Sequence, residues 1–140
     1  MMRPLPMLLT MVVLVAGCAS TPPANWPTVS QMSGPEMYEQ LCASCHGVDG
    51  RGNGPVAPLI KIHVPDLTRI AYRDGGEFPT EDVRRFIDGR SDRPAHGPRD
   101  MPVWGWQFYD SQNTDDPAER ARVDAMISRL VNYLRSIQQE

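Results

Sequence analysis

The stretch Cys42-Ala43-Ser44-Cys45-His46 places two cysteines three positions apart and a histidine directly after the second cysteine. A helix from about Pro35 to Cys45 is predicted to precede it, because Gly34-Pro35 puts a proline in the first turn and apolar residues recur at helical spacing. The next segment, residues 47–65, contains four glycines and three prolines, a composition typical of a loop. The two thiols therefore come at the end of a helix, and the imidazole stands at the start of a long loop.

This pattern indicates covalent attachment of a c-type haem. Two thiols at this spacing can reach the two vinyl groups on one porphyrin edge, and the histidine can then reach the iron. A redox Cys-x-x-Cys pair prefers a strand before it and a helix after it. A zinc site needs four ligands, and beyond the motif only His63 and His96 remain. A plain disulfide does not require His46. We therefore expect one covalent haem c with Cys42, Cys45 and His46 as cofactor-binding residues and His46 as a metal ligand.

A second helix is predicted between Thr80 and Ile87. Thr80 follows a proline and is expected to cap the helix, and the glycine at position 89 is expected to end it. The apolar residues of this segment fall on one side, which is typical of a short amphipathic helix.

The last helix carries the clearest signals. Asp116 is the expected cap, Pro117 lies in the first turn, and Glu119 stands three positions after the cap, as in a capping box. An apolar stripe follows at helical spacing and comprises Val123, Met126, Ile127, Leu130, Val131, Leu134 and Ile137. No segment shows convincing strand alternation. A chain of 140 residues with 41% apolar content has room for one domain, so the sequence predicts a small all-α fold of three to five helices with long loops.

The first 17 residues are predicted to be a signal peptide, because Arg3 precedes an apolar run that is too short to cross a bilayer. The end of that run, Leu14-Val15-Ala16-Gly17-Cys18, resembles the bacterial lipobox, whose cysteine is lipidated and becomes the new N-terminus. Cys18 is also the one cysteine of three that the haem motif leaves over, and an odd cysteine in an exported chain needs a role. Secretory cleavage nearby and an uncleaved anchor are the alternatives.

Residues 18–33 contain three prolines and are predicted to form a tether, and residues 34–140 are predicted to form the folded domain. This organisation places the domain on the periplasmic side of a bacterial membrane, held by lipid on Cys18. Without the signal peptide the chain has 13 Lys and Arg against 17 Asp and Glu, a formal charge of −4. The chain has no basic footprint, so no nucleic-acid partner is expected.

The joint spacing of several residues resembles the class I cytochromes c, in particular the monohaem bacterial short-chain branch. In that family the first helix has a glycine, an aromatic residue four positions on and the attachment cysteine four further, as at Gly34, Tyr38 and Cys42. The family's last helix crosses at this glycine with a leucine and an aromatic residue three apart, as at Leu130 and Tyr133. Glycine at the crossing allows the two helix backbones to approach closely.

The resemblance also implies a sixth iron ligand, which in the family is a methionine on a loop before the last helix. The stretch Asp100-Met101-Pro102-Val103-Trp104-Gly105 resembles that loop, so Met101 is the expected cofactor-binding residue and metal ligand. His63, His96 and an open sixth position are the alternatives.

Further residues around the haem are implied only loosely. The family keeps a proline whose carbonyl accepts a hydrogen bond from the axial histidine, and both Pro55 and Pro58 are in the expected region. Such a bond fixes the orientation of the imidazole. Five other side chains are candidates to approach the haem propionates, although packing or surface exposure explains them equally well: Trp104, Trp106, Arg90, Arg93 and Arg99.

With two protein ligands on the iron, a protein of this kind transfers single electrons and binds no small-molecule substrate. We therefore expect an electron carrier rather than an enzyme, relaying electrons between respiratory or dehydrogenase partners by transient docking. Two alternatives remain. One is a haem enzyme with an open sixth position that acts on peroxide or nitrite, and the other is a fixed subunit of a larger oxidoreductase.

Overall fold

The computed structural model describes residues 28–89, 101–110 and 115–139. The predicted signal peptide, Cys18, most of the predicted tether and His96 lie outside these residues. Throughout the described ranges the regular structure is helical, with no strand, and the predicted all-α fold is confirmed. The α-helices are α1 (Gly34–Leu41), α2 (Ala43–His46), α3 (Ile70–Arg73), α4 (Thr80–Asp88), α5 (Trp104–Phe108) and α6 (Pro117–Ser136). Short 3-10 turns lie at Val29–Gln31, Ala57–Leu59 and Leu67–Arg69.

Helix α1 begins with a capping box. The hydroxyl of Ser33 accepts a hydrogen bond from the Glu36 backbone N–H at 3.4 Å, and the Glu36 carboxylate accepts one from the Ser33 N–H at 2.8 Å. This reciprocal pair satisfies amide groups that the first turn of a helix leaves without partners. The helix therefore starts at Gly34, one residue before the predicted start.

Helices α1 and α6 cross at Gly34. A Cβ atom added there would lie 2.4 Å from the Arg129 carbonyl oxygen and 3.0 Å from the Tyr133 Cβ. The ring of Tyr133 also packs against that of Tyr38, with centroids 5.0 Å apart. The close helix crossing that the family resemblance implied is therefore present, and only glycine fits at its centre.

At the start of α6 the predicted cap Asp116 is confirmed, whereas Glu119 does not have its predicted role. The Asp116 carboxylate accepts a hydrogen bond from the Ala118 N–H at 2.9 Å, as predicted. Glu119 does not complete a capping box, because its carboxylate instead accepts hydrogen bonds from Arg122 and from the Asp110 N–H. Six residues of the predicted stripe are buried in the core, namely Val123, Met126, Ile127, Leu130, Val131 and Leu134. Ile137 follows the helix and is partly buried.

Helix α4 begins and ends close to the predicted positions, but its cap is different. Pro79 precedes the helix and Thr80 is the first helical residue, so the predicted capping role of Thr80 is wrong. Its hydroxyl donates to the Phe78 carbonyl at 3.3 Å instead. Gly89 ends the helix in the left-handed conformation, with φ of 84°, as predicted for a C-terminal glycine.

The folded part of the chain begins earlier than predicted. The sequence predicts that residues 28–33 are the end of the tether, yet Met32 is only 5% exposed and belongs to the core. The Arg129 guanidinium donates to the Ser30 carbonyl at 2.9 Å and fixes this segment to α6. The predicted boundary is therefore corrected for residues 28–33, because Val29 and Met32 supply apolar surface that the core buries. None of the described helices is both long enough and apolar enough to span a membrane.

Candidate cofactor site

Cys42 divides the predicted helix into two. It closes α1 and opens α2, with φ of −116°, and its N–H donates to the Tyr38 carbonyl at 2.9 Å. The His46 N–H donates to the Cys42 carbonyl at 2.9 Å, so α2 makes only one turn. Cys42, Cys45 and His46 are all partly exposed. The three side chains of the motif therefore lie on one short turn within reach of a cofactor.

The two cysteines are free thiols rather than a disulfide. Burial raises the pKa of the Cys42 thiol to about 12, and the neighbouring Cys45 thiol adds to this increase. A thiol with a raised pKa is protonated at neutral pH and reacts slowly with oxidants. Cys42 is therefore a neutral S–H group at neutral pH in the haem-free chain.

His46 is oriented by a backbone carbonyl. Its Nδ1 lies 3.2 Å from the Pro65 carbonyl oxygen. Because a carbonyl only accepts, Nδ1 carries the proton and the Nε2 lone pair is left free for a metal. Burial lowers the pKa of His46, opposed in part by this hydrogen bond, and the ring is thereby kept in the neutral form that binds metals. The supporting proline is thus Pro65, and the expectation of Pro55 or Pro58 is wrong.

The loop after the motif completes the last turn of α2. The N–H groups of Gly52, Gly54 and Val56 donate to the carbonyls of His46, Cys45 and Ser44 at 2.8, 3.1 and 2.9 Å. These are carbonyls that the end of a helix leaves without partners.

At Gly52 the loop packs so closely against Val64 that a side chain would not fit. A Cβ added at Gly52, where φ is +76°, would lie 2.3 Å from the Val64 carbonyl oxygen. The Leu67 N–H donates to the Gly50 carbonyl at 2.6 Å. This tight path brings Pro65 next to His46.

The surface beside the motif is unusually apolar. Four aliphatic side chains of the same loop are exposed: Val48, Val56, Leu59 and Ile62. Leu59 is 82% exposed, although apolar side chains of this size are usually buried. Two free thiols, a neutral imidazole and adjoining apolar side chains are what a porphyrin with a bound metal requires. The residues present therefore fit a covalently held haem.

Met101 lies at the start of the segment that leads into α5. It is partly buried and packs against the core. Two residues later, Val103 lies so close to Gly89 that a Cβ there would be 2.1 Å from the Val103 Cγ1. Of the other residues considered, His63 is exposed and has no part in the core.

The side chains predicted as candidates to approach the haem propionates differ in their surroundings. Trp104 packs on Phe108 with ring centroids 6.4 Å apart, whereas Trp106 is 81% exposed. Arg90, Arg93 and Arg99 lie outside the described residues. Helix α5 itself was not predicted, because five residues are too few to show a helical repeat.

The proteins that this chain is similar to agree with a covalently held haem. The family model described as cytochrome c matches residues 31–138. The chain is also similar to the Cbb3-type cytochrome c oxidase subunit CcoP of Rhodobacter capsulatus, with 27% identity over 109 residues, which is 78% of this chain and 30% of that protein. The chain therefore spans about a third of the length of this curated relative. No solved structure matches.

Proposed function

The chain belongs to the cytochrome c family, whose domains carry a covalently attached haem c, and we propose that it relays single electrons. Cys42 and Cys45 attach the haem. His46 and Met101 are the two iron ligands. The haem, when bound, supplies an iron that alternates between the ferrous and ferric states. The residues of the chain fix that iron in place and set the relative stability of its two states.

The observation that carries the proposal is the hydrogen bond between His46 and Pro65. It places the proton on Nδ1 and leaves Nε2 as a lone-pair donor, on the same helical turn as two free thiols. A histidine held by a carbonyl is also a more basic ligand than a free one. A redox dithiol would gain nothing from this arrangement, whereas an axial iron ligand needs it.

The segment at Met101 favours an electron carrier over a haem enzyme. Met101, Pro102 and Val103 contain no acid or base, and catalysis on peroxide or nitrite needs proton transfer near the iron. A thioether sulfur at the sixth position would instead close the iron to substrates and favour the ferrous state.

The attachment residues can be tested by mass. Produced with haem-attachment machinery, the protein should keep its haem through denaturation and electrophoresis. Its mass should exceed that of the haem-free chain, processed in the same way, by one haem. Cys42→Ser and Cys45→Ser should each leave one thioether bond, and the double variant should release its haem on denaturation. Ser44→Ala, between them, is the matched control and should behave as the unaltered protein. An apoprotein mass under the same conditions would contradict the proposal.

We also propose that Cys18 is lipidated and anchors the domain to a membrane, since it closes the Leu14–Cys18 run and is the cysteine that the haem motif does not use. Anchoring by more than one acyl chain is stable. Cys18→Ser should release the haem-loaded protein into the soluble fraction, whereas Ser20→Ala should leave it with the membranes. A Cys18→Ser protein that stays with the membranes would show that the anchor lies elsewhere.

The partners proposed for the carrier are redox proteins that donate and accept single electrons by transient docking. The similarity to an oxidase subunit favours, as a second candidate, a fixed place in a larger oxidoreductase. Mild detergent extraction followed by size-exclusion chromatography separates the two, because a carrier elutes alone and a subunit elutes with its complex.

A further inference from the structure

The end of α5 is fastened to α6 by one arginine. The Arg122 guanidinium donates from one nitrogen to the Phe108 carbonyl and from another to the Met126 sulfur at 3.1 Å. Phe108 is the last residue of α5, and its carbonyl has no partner within the helix. A cation at this end is also favoured by the dipole of the helix.

Glu119 holds both the arginine and the chain that follows α5. Its carboxylate accepts hydrogen bonds from Arg122 Nε at 2.8 Å and from the Asp110 N–H at 2.8 Å, and it also pairs with Arg122 Nη2. The Glu119 side chain is only 12% exposed. The hydrogen bonds from Arg122 and Asp110 lower the pKa of Glu119 to about 2, so the pair is charged throughout the physiological range.

The beginning of the same segment is fixed by close packing. A Cβ at Gly105 would lie 2.1 Å from Asp88 Oδ1, and one at Gly89 would lie 2.1 Å from Val103 Cγ1. Residues 103–105 are therefore confined against the end of α4. Met101 stands directly before this confined stretch, and the Arg122–Glu119 pair closes its other end.

We propose that Arg122 and Glu119 are positioning residues that hold the segment from Met101 to Phe108 in the place where the Met101 sulfur meets the iron. This rests on the proposed function, because it assumes that Met101 is the sixth ligand. Neither residue touches the iron. Each acts through the Phe108 carbonyl and the Asp110 N–H, which fix α5 relative to α6.

The test is the affinity of the ferric protein for added imidazole, which binds only when the Met101 sulfur has left the iron. Apparent affinity rises in proportion to the open fraction. Arg122→Lys loses the planar guanidinium, and Glu119→Gln loses the negative charge. Each variant should raise the apparent imidazole affinity about tenfold, because it loses a charged hydrogen bond that is made only while the Met101 sulfur is on the iron. Both should also weaken the sulfur-to-iron charge-transfer absorption.

A matched control lies on the same helix, α6. Arg84 of α4 pairs with Asp124 of α6, so Asp124→Asn removes an arginine–carboxylate pair from the same helix without touching α5. It should leave imidazole affinity and the charge-transfer absorption unchanged. If the Arg122 and Glu119 variants merely melt at a lower temperature and bind imidazole as Asp124→Asn does, the pair is structural support and the proposal is overturned. The same holds if neither variant can be loaded with haem.

Met101→Ala, measured in parallel, separates this proposal from the one on which it rests. If Met101→Ala leaves imidazole affinity unchanged, the sixth ligand is misassigned and the proposal falls with it. If Met101→Ala opens the iron while both other variants stay closed, Met101 is the ligand and the positioning role alone is wrong.

Discussion

Replacing Met101 with alanine is expected to open the sixth position of the iron and to speed carbon monoxide binding by the ferrous protein about a hundredfold. If Met101 is the sixth ligand, carbon monoxide binds the unaltered protein only after the Met101 sulfur has left the iron. A bond that is intact in 99 of every 100 molecules reduces the reactive population by about that factor. The ferrous iron of the variant should also change from low to high spin. Stopped-flow mixing with carbon monoxide and absorption spectra of both oxidation states measure these two effects.

The remaining variants identify which side chain is the ligand. Met101→His should keep the iron six-coordinate and lower the reduction potential, because imidazole favours ferric iron more than a thioether does. His63→Ala and His96→Ala should leave spectrum and potential unchanged. If His96→Ala alters them and Met101→Ala does not, the axial assignment is wrong. If the unaltered protein already binds carbon monoxide rapidly, the haem enzyme becomes the better account.

The parts of the fold that could be predicted are those with local causes. The bounds of α6 follow from Asp116, which caps the first turn, and from a run of apolar residues that the core buries. The end of α4 at Gly89 likewise depends on a single residue able to adopt a positive φ. The motif of two thiols and a histidine is also local, and it lies at the end of a helix as expected.

The parts that could not be predicted depend on contacts between distant residues. The last turn of α2 is completed by loop amides up to 12 residues beyond the carbonyls they bind, as between Val56 and Ser44. Pro65 reaches His46 across 19 positions, and no local pattern separates it from the loop's other prolines. Glu119 matches a capping box in sequence, but Arg122 and the Asp110 N–H offer it a charged partner and a better-placed donor. In each case tertiary contacts override the local signal.

Gly34→Ala is expected to destabilise the protein strongly through a single added methyl group. The new Cβ would lie 2.4 Å from the carbonyl oxygen of Arg129, in the middle of α6, where the backbone cannot move without breaking helical hydrogen bonds. Overpacking a close contact costs roughly 3 kcal/mol when the neighbour cannot adjust. The free energy of unfolding of the haem-loaded protein, extrapolated from guanidinium titrations, should fall by about that amount.

Gly75→Ala is the control, because it adds the same methyl group to a glycine with nothing within 4 Å. Its φ of +81° should cost about 1 kcal/mol, the penalty for a left-handed residue with a Cβ. Helix α1 leads directly to Cys42, so the displacement caused by Gly34→Ala should also reach the cofactor. It should broaden the change in absorption when carbon monoxide binds. Gly75→Ala should leave that change as it is. If the two variants unfold at the same denaturant concentration, the contact at Gly34 is not what holds α1 against α6. The packing of Tyr38 on Tyr133 would then have to supply that role.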